Sequence, residues 1–356
     1  MTFAERLLNW YHVNGRDLPW RDSRDPYAVW ISEIILQQTR ISQGLPYYYR
    51  FLDSFPDVHA LAAAPEGKVL RLWQGLGYYS RARNLHAAAK QVTTDFNGKL
   101  PNSYNELIKL KGVGPYTAAA IASIAFNEAV ATLDGNVMRI LARMFAIDEK
   151  TDTGKGKKVF EKTASQLIPA CCPGDFNQAM MDFGSMVCTP RNPMCAGCLF
   201  NHQCLAFHAG KVHDFPKKGR KKPPGKRFFH YFLIRTVAGN ENGIFITQRK
   251  QKDIWQNMYE LPMIEDSREL SAAELLVHKK FHDMFPGVHF REVMPEPRKL
   301  KHQLSHQTIY AFFFFVYANP ADIPALKKQF LLRTPGEIDD LAKPRPIDRF
   351  FREHVF

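Results

Sequence analysis

In the first part of the chain, apolar residues recur with helical spacing. Val137, Ile140, Leu141, Met144 and Phe145 fall at i, i+3, i+4, i+7 and i+8, one stripe of an amphipathic helix, and the alanine-rich stretch Thr117 to Phe126 is a second strong helix former. From Lys217 to Arg227, KKGRKKPPGKR, basic residues, prolines and glycines replace this periodicity, and the segment reads as a solvated linker. Beyond it the pattern changes. Phe228 to Val237 and Ile244 to Gln248 flank a Gly- and Asn-rich turn, Gly239 to Gly243, as in a β-hairpin. Ser271 with Glu274 three residues on is a capping box that predicts a helix over Ala272 to Met284. Ile309 to Tyr317 is apolar at every other position on both faces, the mark of a strand covered on both sides.

These patterns predict an all-α region over residues 1–215, a basic Pro/Gly linker over 216–227 and a smaller α+β domain over 228–356, with no internal repeat. A chain of 356 residues with 45% apolar content is long enough for two separate cores. The longest apolar run, Ile309 to Ala318, is about half of the roughly 20 residues that a membrane-spanning helix needs. Met1 to Trp20 lacks the uninterrupted apolar core of a signal peptide, so the expected setting is intracellular, the cytoplasm or nucleoid in a bacterium, where cysteines stay reduced. The formal net charge of +13 asks for a polyanionic partner, and nucleic acid is the first candidate.

Cys188, Cys195, Cys198 and Cys204 stand in the order Cys-x6-Cys-x2-Cys-x5-Cys, which gathers four thiols into one short stretch. Four thiolates hold either a zinc ion or a four-iron cubane cluster. Zinc sites usually use two Cys-x2-Cys knuckles, and here only Cys195 and Cys198 make such a pair, so the spacing favours one 4Fe-4S cluster. Cys171 and Cys172 are adjacent and lie outside this grouping.

Leu110 to Ala118, LKGVGPYTA, joins two helical patterns through Gly112-Val113-Gly114, with Pro115 suited to the first turn of the second helix. The glycines allow close backbone approach, and the free N–H groups of the second helix suit a phosphate. With the downstream Asp134 of LDGNVMRILAR and the cysteine loop, this helix-hairpin-helix resembles the endonuclease III superfamily of base-excision DNA glycosylases over roughly residues 3–215. The bifunctional lyases of that superfamily carry an amine nucleophile two residues after the second hairpin glycine; here the position is Tyr116. Val29 to Thr39, VWISEIILQQT, is similar to the signature of adenine DNA glycosylases of the MutY type.

The resemblance implies a monofunctional enzyme that removes adenine mispaired with 8-oxoguanine or guanine, as a monomer on double-stranded DNA. It places the catalytic acid on Glu33 and the carboxylate that stabilises the oxocarbenium ion on Asp134, with Asn136 and Tyr116 orienting them. Glu33 is expected to need a raised pKa and Asp134 to stay ionised. An adenine in a duplex must be flipped out. The resemblance puts the wedge at Gln38 and Tyr78, with Leu76 alongside and Thr39 near the opposing base, and the base pocket at Trp20, Arg21, Leu36 and Gln178.

Residues 228–356 resemble the Nudix-like C-terminal domain of the same family, including IWQNMYELP at Ile254 to Pro262. A Nudix pyrophosphatase needs a helix bearing several glutamates for magnesium, and Arg268 to Met284 offers only Glu269, Glu274 and Asp283. The family's Phe-Ser-His reader of 8-oxoguanine is here Leu304-Ser305-His306, which keeps Ser305 and His306 and loses the aromatic ring. Three other readings stand beside this one: an endonuclease III-like glycosylase and lyase on oxidised pyrimidines, which Tyr116 opposes; a non-catalytic iron-sulfur DNA-binding protein, which leaves Glu33 and Asp134 unexplained; and a Nudix nucleotide hydrolase.

Overall fold

Side-chain caps start the N-terminal helices. Thr2 and Glu5 form a reciprocal capping box ahead of Phe3–Asn14, and Asp25 accepts from the N–H groups of Tyr27 and Ala28 ahead of Pro26–Leu36. In this computed structural model, which describes residues 1–219, 223–236 and 243–356, one unit comprises Met1–Ala64 and Asn84–Lys221 and is helical. A second comprises Pro65–Arg83 and Lys222–Phe356 and contains the strands. The segment Pro65–Arg83, which lies inside the 1–215 range read from the sequence, packs with the second unit. Asn257 donates to Glu66 at 2.6 Å, the N–H of Lys343 to Gln74 at 3.0 Å, and Arg83 to the Gln256 carbonyl at 3.1 Å.

Within the helical unit, Pro26–Leu36 is buried from Tyr27 to Ile35, as expected of a helix apolar nearly all round. The predicted helix at 117–126 extends over Pro115–Phe126, with Gly114 as N-cap and Pro115 at its first position. Gly112 has φ +76°, and a Cβ there would meet Asn84 at 2.5 Å, so the hairpin turn requires glycine. Asp134 caps Gly135–Met144 by accepting from Asn136 and Val137. That helix buries Val137, Ile140, Leu141 and Met144 against Phe160, Phe176, Met180 and Phe183. Phe145 departs from the predicted stripe: the helix ends at Met144, and Phe145 is exposed.

In the second unit, β1 (Gly225–Thr236) runs parallel to β7 (Gln307–Ala318) along its whole length, from Gly225 opposite Gln307 to Thr236 opposite Ala318. β2 (Ile244–Gln248), β3 (Tyr259–Glu260), β4 (Met263–Asp266), β5 (Phe290–Val293), β6 (Arg298–Gln303) and β8 (Leu331–Arg333) pair antiparallel around them. β1 and β2 meet antiparallel at Arg235 and Ile244, and of their predicted turn only Gly243 is among the described residues. β7 is covered on both faces. Phe313 stacks on Phe350 of helix Arg345–His354 at 3.9 Å, while Phe312 and Phe314 join a core with Phe232, Phe281 and Phe285.

Two sequence expectations change here. The helix predicted over Ala272–Met284 is two short helices, Ala272–Leu276 and Lys279–Met284, because His278 caps the second by accepting from the N–H of Lys280. The linker is shorter than its composition implied. Lys217 pairs with Asp148 at 2.5 Å, the N–H of Gly219 donates to Asp152, and Arg227 already lies in β1, held by Asp253 and Glu265. Residues 220–222 of that segment lie outside the described residues.

Candidate active site

A cavity of about 1070 Å³ opens in the helical unit between Pro26–Leu36, the hairpin and the head of Gly135–Met144. Glu33, Tyr116, Asp134 and Asn136 all line it, as do Trp20, Arg21, Leu36, Gln38 and Thr39 and the hairpin residues Gly112 and Gly114. Residues from five separate stretches of sequence thus meet around one space. Gln178 does not line it; its side chain is buried on helix Pro173–Met186.

Glu33 is 7% exposed on an otherwise apolar helix. Burial pushes its carboxyl up to about 7; a hydrogen bond from Tyr116 and the charge of Arg21 oppose the rise, while Asp134 adds to it. The Tyr116 hydroxyl also lies 3.1 Å from Met181 Sδ, and burial beside Glu33 raises the phenol well above its ordinary value. Asp134 sits differently. Burial raises it too, but the N–H groups of Val137 and Asn136 and the Asn136 side-chain amide, at 2.7 Å, 2.8 Å and 2.7 Å, favour its ionised form. Glu33 has one hydrogen-bond donor favouring its charge and Asp134 has three, so the site offers a proton-holding carboxyl facing a donor-rich carboxylate.

Three residues behind these groups escaped the sequence reading. Asp182, fully buried, accepts from Arg21 and from the backbone and side chain of Arg16. Its signal in the sequence is faint: it lies one turn after Gln178 on the same helix. Arg139 donates to the Asn136 side-chain oxygen at 2.9 Å, to the Gly184 carbonyl at 2.6 Å and to the Cys188 carbonyl at 2.8 Å, joining the head of the helix to the cysteine loop. Arg143, 2% exposed, donates to the carbonyls of Thr189, Pro190 and Val212 and to Cys188 Sγ at 3.3 Å. Both arginines fall on the helix stripe next to apolar positions, where periodicity alone reads them as solvent-facing.

Cys188, Cys195, Cys198 and Cys204 face one small apolar cavity with Ile140, Phe183 and Val187. Burial and mutual proximity push Cys195, Cys198 and Cys204 up, the situation that binding to a cation reverses. The Phe200 N–H donates to Cys198 Sγ at 3.4 Å, and with Arg143 it supplies the N–H···S donors that tune thiolate ligands. Among the described residues, no three His, Cys, Asp or Glu side chains are arranged to hold a single metal ion. An all-thiolate donor set around an apolar cavity fits an iron-sulfur cluster.

The remaining predicted DNA contacts lie in the second unit. Tyr78, at φ +48°, and Leu304, Ser305 and His306 line a cleft of about 370 Å³ with Trp255, and the Tyr78 hydroxyl donates to Ser305 Oγ at 3.0 Å. Leu76 is buried. Two of the acids of the segment 268–284 are engaged elsewhere, Glu274 with Arg268 and the Ser271 cap and Glu269 with Lys299.

Residues 31–170 match the model of the HhH-GPD superfamily base excision DNA repair protein, and residues 230–353 that of the NUDIX domain. The adenine DNA glycosylase of Buchnera aphidicola subsp. Baizongia pistaciae is 35% identical over 350 residues, covering 98% of this chain and 95% of that protein. The chain belongs to the adenine DNA glycosylase family. It is therefore a DNA N-glycosylase of base excision repair, a helical HhH-GPD fold joined to a Nudix-like domain. The human adenine DNA glycosylase is 32% identical over 358 residues, covering 86% of this chain and 65% of that one. Among solved structures, a thermostable thymine-DNA glycosylase aligns with TM-score 0.55 and 29% identity over 58% of this chain and 95% of its own. An endonuclease III–DNA complex, with TM-score 0.50 and 23% identity over 59% of this chain and 99% of its own, shares the fold. No described helix is long and apolar enough to cross a membrane.

Proposed function

We propose that this family member hydrolyses the N-glycosidic bond of adenine mispaired with 8-oxoguanine or guanine in double-stranded DNA, with Glu33 as general acid and Asp134 as electrostatic partner. The observation that carries the reading is Glu33, a buried carboxyl raised to about 7 in the wall of an open cavity that Asp134 shares. A departing adenine needs a proton, and a carboxyl with a pKa near neutrality still holds one at the working pH. Glu33 gives its proton to adenine N7. The sugar left behind develops positive charge, which the Asp134 carboxylate, oriented by Asn136, stabilises until water adds.

Tyr116 occupies the place from which a lysine would attack the sugar, and a phenol has no amine nitrogen with which to form a Schiff base, so the chemistry ends at base release. Trp20, Arg21 and Leu36 form walls for the flipped adenine, and Gln38, exposed at φ +56°, is placed to enter the duplex with Thr39 beside it. Tyr78 is the second wedge residue, and Ser305 and His306 beside it read the opposing base; Leu304 cannot stack as an aromatic ring would. Cys188, Cys195, Cys198 and Cys204 hold a 4Fe-4S cluster that fixes the loop after helix Pro173–Met186, and no step of the reaction passes through it.

The test is a single-turnover assay on duplexes carrying adenine opposite 8-oxoguanine, guanine or thymine, analysed with and without alkali. Adenine release opposite the first two, with strand scission only after alkali, is expected. Scission without alkali, or equal rates opposite thymine, contradicts the proposal.

A further inference from the structure

Cys171 and Cys172 have no part in the site described above. They precede helix Pro173–Met186 and Cys188 follows it, so about 21 Å of helix separates them from the four-cysteine loop. Their Sγ atoms are 2.8 Å apart, with Cys171 exposed and Cys172 half-buried. Arg24 and Asp175, paired at 3.2 Å, are the charged neighbours of Cys172. Two thiols this close, one of them open to solvent, are placed to react as a unit.

We propose that Cys171 and Cys172 form an oxidisable dithiol, which a low-molecular-weight disulfide converts into a disulfide between the two adjacent residues. The exposed Cys171 thiolate attacks one sulfur of the small disulfide, forming a mixed disulfide and expelling one thiolate. Cys172 then attacks the Cys171 sulfur, losing its proton to solvent and expelling the second thiolate. The protein gives up two electrons and two protons, and the small disulfide becomes two thiols. Burial pushes Cys172 up to about 11 and keeps it protonated, so the first attack falls to the exposed Cys171; Cys172 takes the second role because the sulfur under attack is already in contact with it.

The surroundings make the oxidised form easy to reverse. Cys172 is the N-cap of its helix, and its carbonyl accepts from the Phe176 N–H at 3.1 Å. Two residues past Cys172, Gly174 lies so close to helix Pro115–Phe126 that a Cβ would meet the Ser123 carbonyl oxygen at 2.7 Å. The first turn therefore has little room to shift while a tight ring closes on the peptide joining the two cysteines. Strain and exposure both raise the potential of a disulfide, so a reducing thiol pool keeps the pair open and a rise in oxidised small thiols closes it.

The test treats the intact, cluster-loaded protein with oxidised glutathione, follows cluster absorbance, and maps a proteolytic fragment that separates residues 171–172 from residue 188 onward. The expected wild-type result is loss of two hydrogen atoms from that fragment, reversed by dithiothreitol, with the cluster absorbance unchanged. Cys172→Ser should instead accumulate a stable glutathione adduct at Cys171, and Cys171→Ser should lose most of its reactivity at this fragment. A wild-type protein that keeps an unresolved glutathione adduct, or a fragment left unmodified while the exposed thiol reacts with an alkylating agent, overturns the proposal.

Discussion

Asp182, fully buried on helix Pro173–Met186, accepts from two nitrogens of Arg21 at 2.9 Å each and holds that guanidinium beside the cavity that contains Glu33. The Arg16 N–H adds a third bond at 2.9 Å. Replacing Asp182 by Asn leaves two guanidiniums with a neutral partner, and breaking a buried pair of this kind costs about 3 kcal/mol. Denaturant melts should show it. The arginine hydrogen bonds outweigh burial and hold the Asp182 carboxyl below the usual carboxylate range, so its contribution is present above the unfolded value and is lost as pH falls through the folded one. The stability gap between wild type and Asp182→Asn should therefore close below roughly pH 4, the ordinary Asp value. A gap that is constant with pH rules out this role.

Glu33 has the opposite sign. Its folded pKa is raised, so its contribution is full below the unfolded value and is lost as pH rises through about 7. Above pH 7 the ionised carboxylate is a burden on the fold. Glu33→Gln should raise thermal stability there by up to about 3 kcal/mol, at 1.36 kcal/mol per pKa unit, and by little at pH 4. Unchanged or lower stability at pH 8 would show that Glu33 is solvated.

Tyr116 tunes the same group. Its hydrogen bond favours the ionised form of Glu33, so Tyr116→Phe should raise the Glu33 pKa further. In single-turnover pH profiles, adenine release by wild type should fall as pH rises past about 7, because the acid loses its proton, and the limb should move to higher pH in Tyr116→Phe. A limb that stays in place assigns the titration to another group.

The sequence carried most of this site and little of its energetics. Gly112-Val113-Gly114 alone is a weak signal that a plain interhelical turn would also give, and the hairpin was legible only beside the cysteine loop and the net charge; the Asp134 cap was legible because Asp is a strong N-cap ahead of an apolar stripe. Glu33 was placed by family resemblance alone; one Glu beside Ile34, Ile35 and Leu36 is equally a solvent-facing residue until helix Pro26–Leu36 is seen buried all round. Long-range pairings left no local trace. Arg227 reads as one more linker charge until Asp253 and Glu265 come together across the sheet. Nor does local pattern show that Glu66, Gln74 and Arg83 of Pro65–Arg83 pair with Asn257, Lys343 and Gln256, loop residues at least 173 positions further along the chain. Cutting the chain at residue 217 would strip these partners, so the opposing-base reader is better tested by point substitution.

Ser305→Ala should reduce the preference for 8-oxoguanine over guanine opposite adenine by roughly 1–3 kcal/mol, the usual worth of a specific base contact. Tyr78→Phe removes the hydroxyl that donates to Ser305 and should give part of that loss. Leu304→Phe should sharpen the preference by restoring a stacking ring. Rates on the two mispairs, measured side by side, decide it; an unchanged ratio in all three variants removes this loop from the reader.

Arg143→Met deletes the donors that hold Thr189, Pro190, Val212 and Cys188. The variant should purify pale, with well under the roughly four irons per chain expected of a cubane cluster. Far-ultraviolet circular dichroism should show the helices retained. Full iron content would mean that the cysteine loop holds its shape without this arginine.

The most direct test compares wild type and Glu33→Gln in single-turnover release of adenine opposite 8-oxoguanine, with duplex affinity measured on the same preparations. Removing a general acid costs about 10²–10⁴-fold, so the variant should lose at least that much rate while binding the duplex as tightly as wild type. A variant that releases adenine at near wild-type rate would contradict the assignment of the acid, and with it the account of how this cavity works.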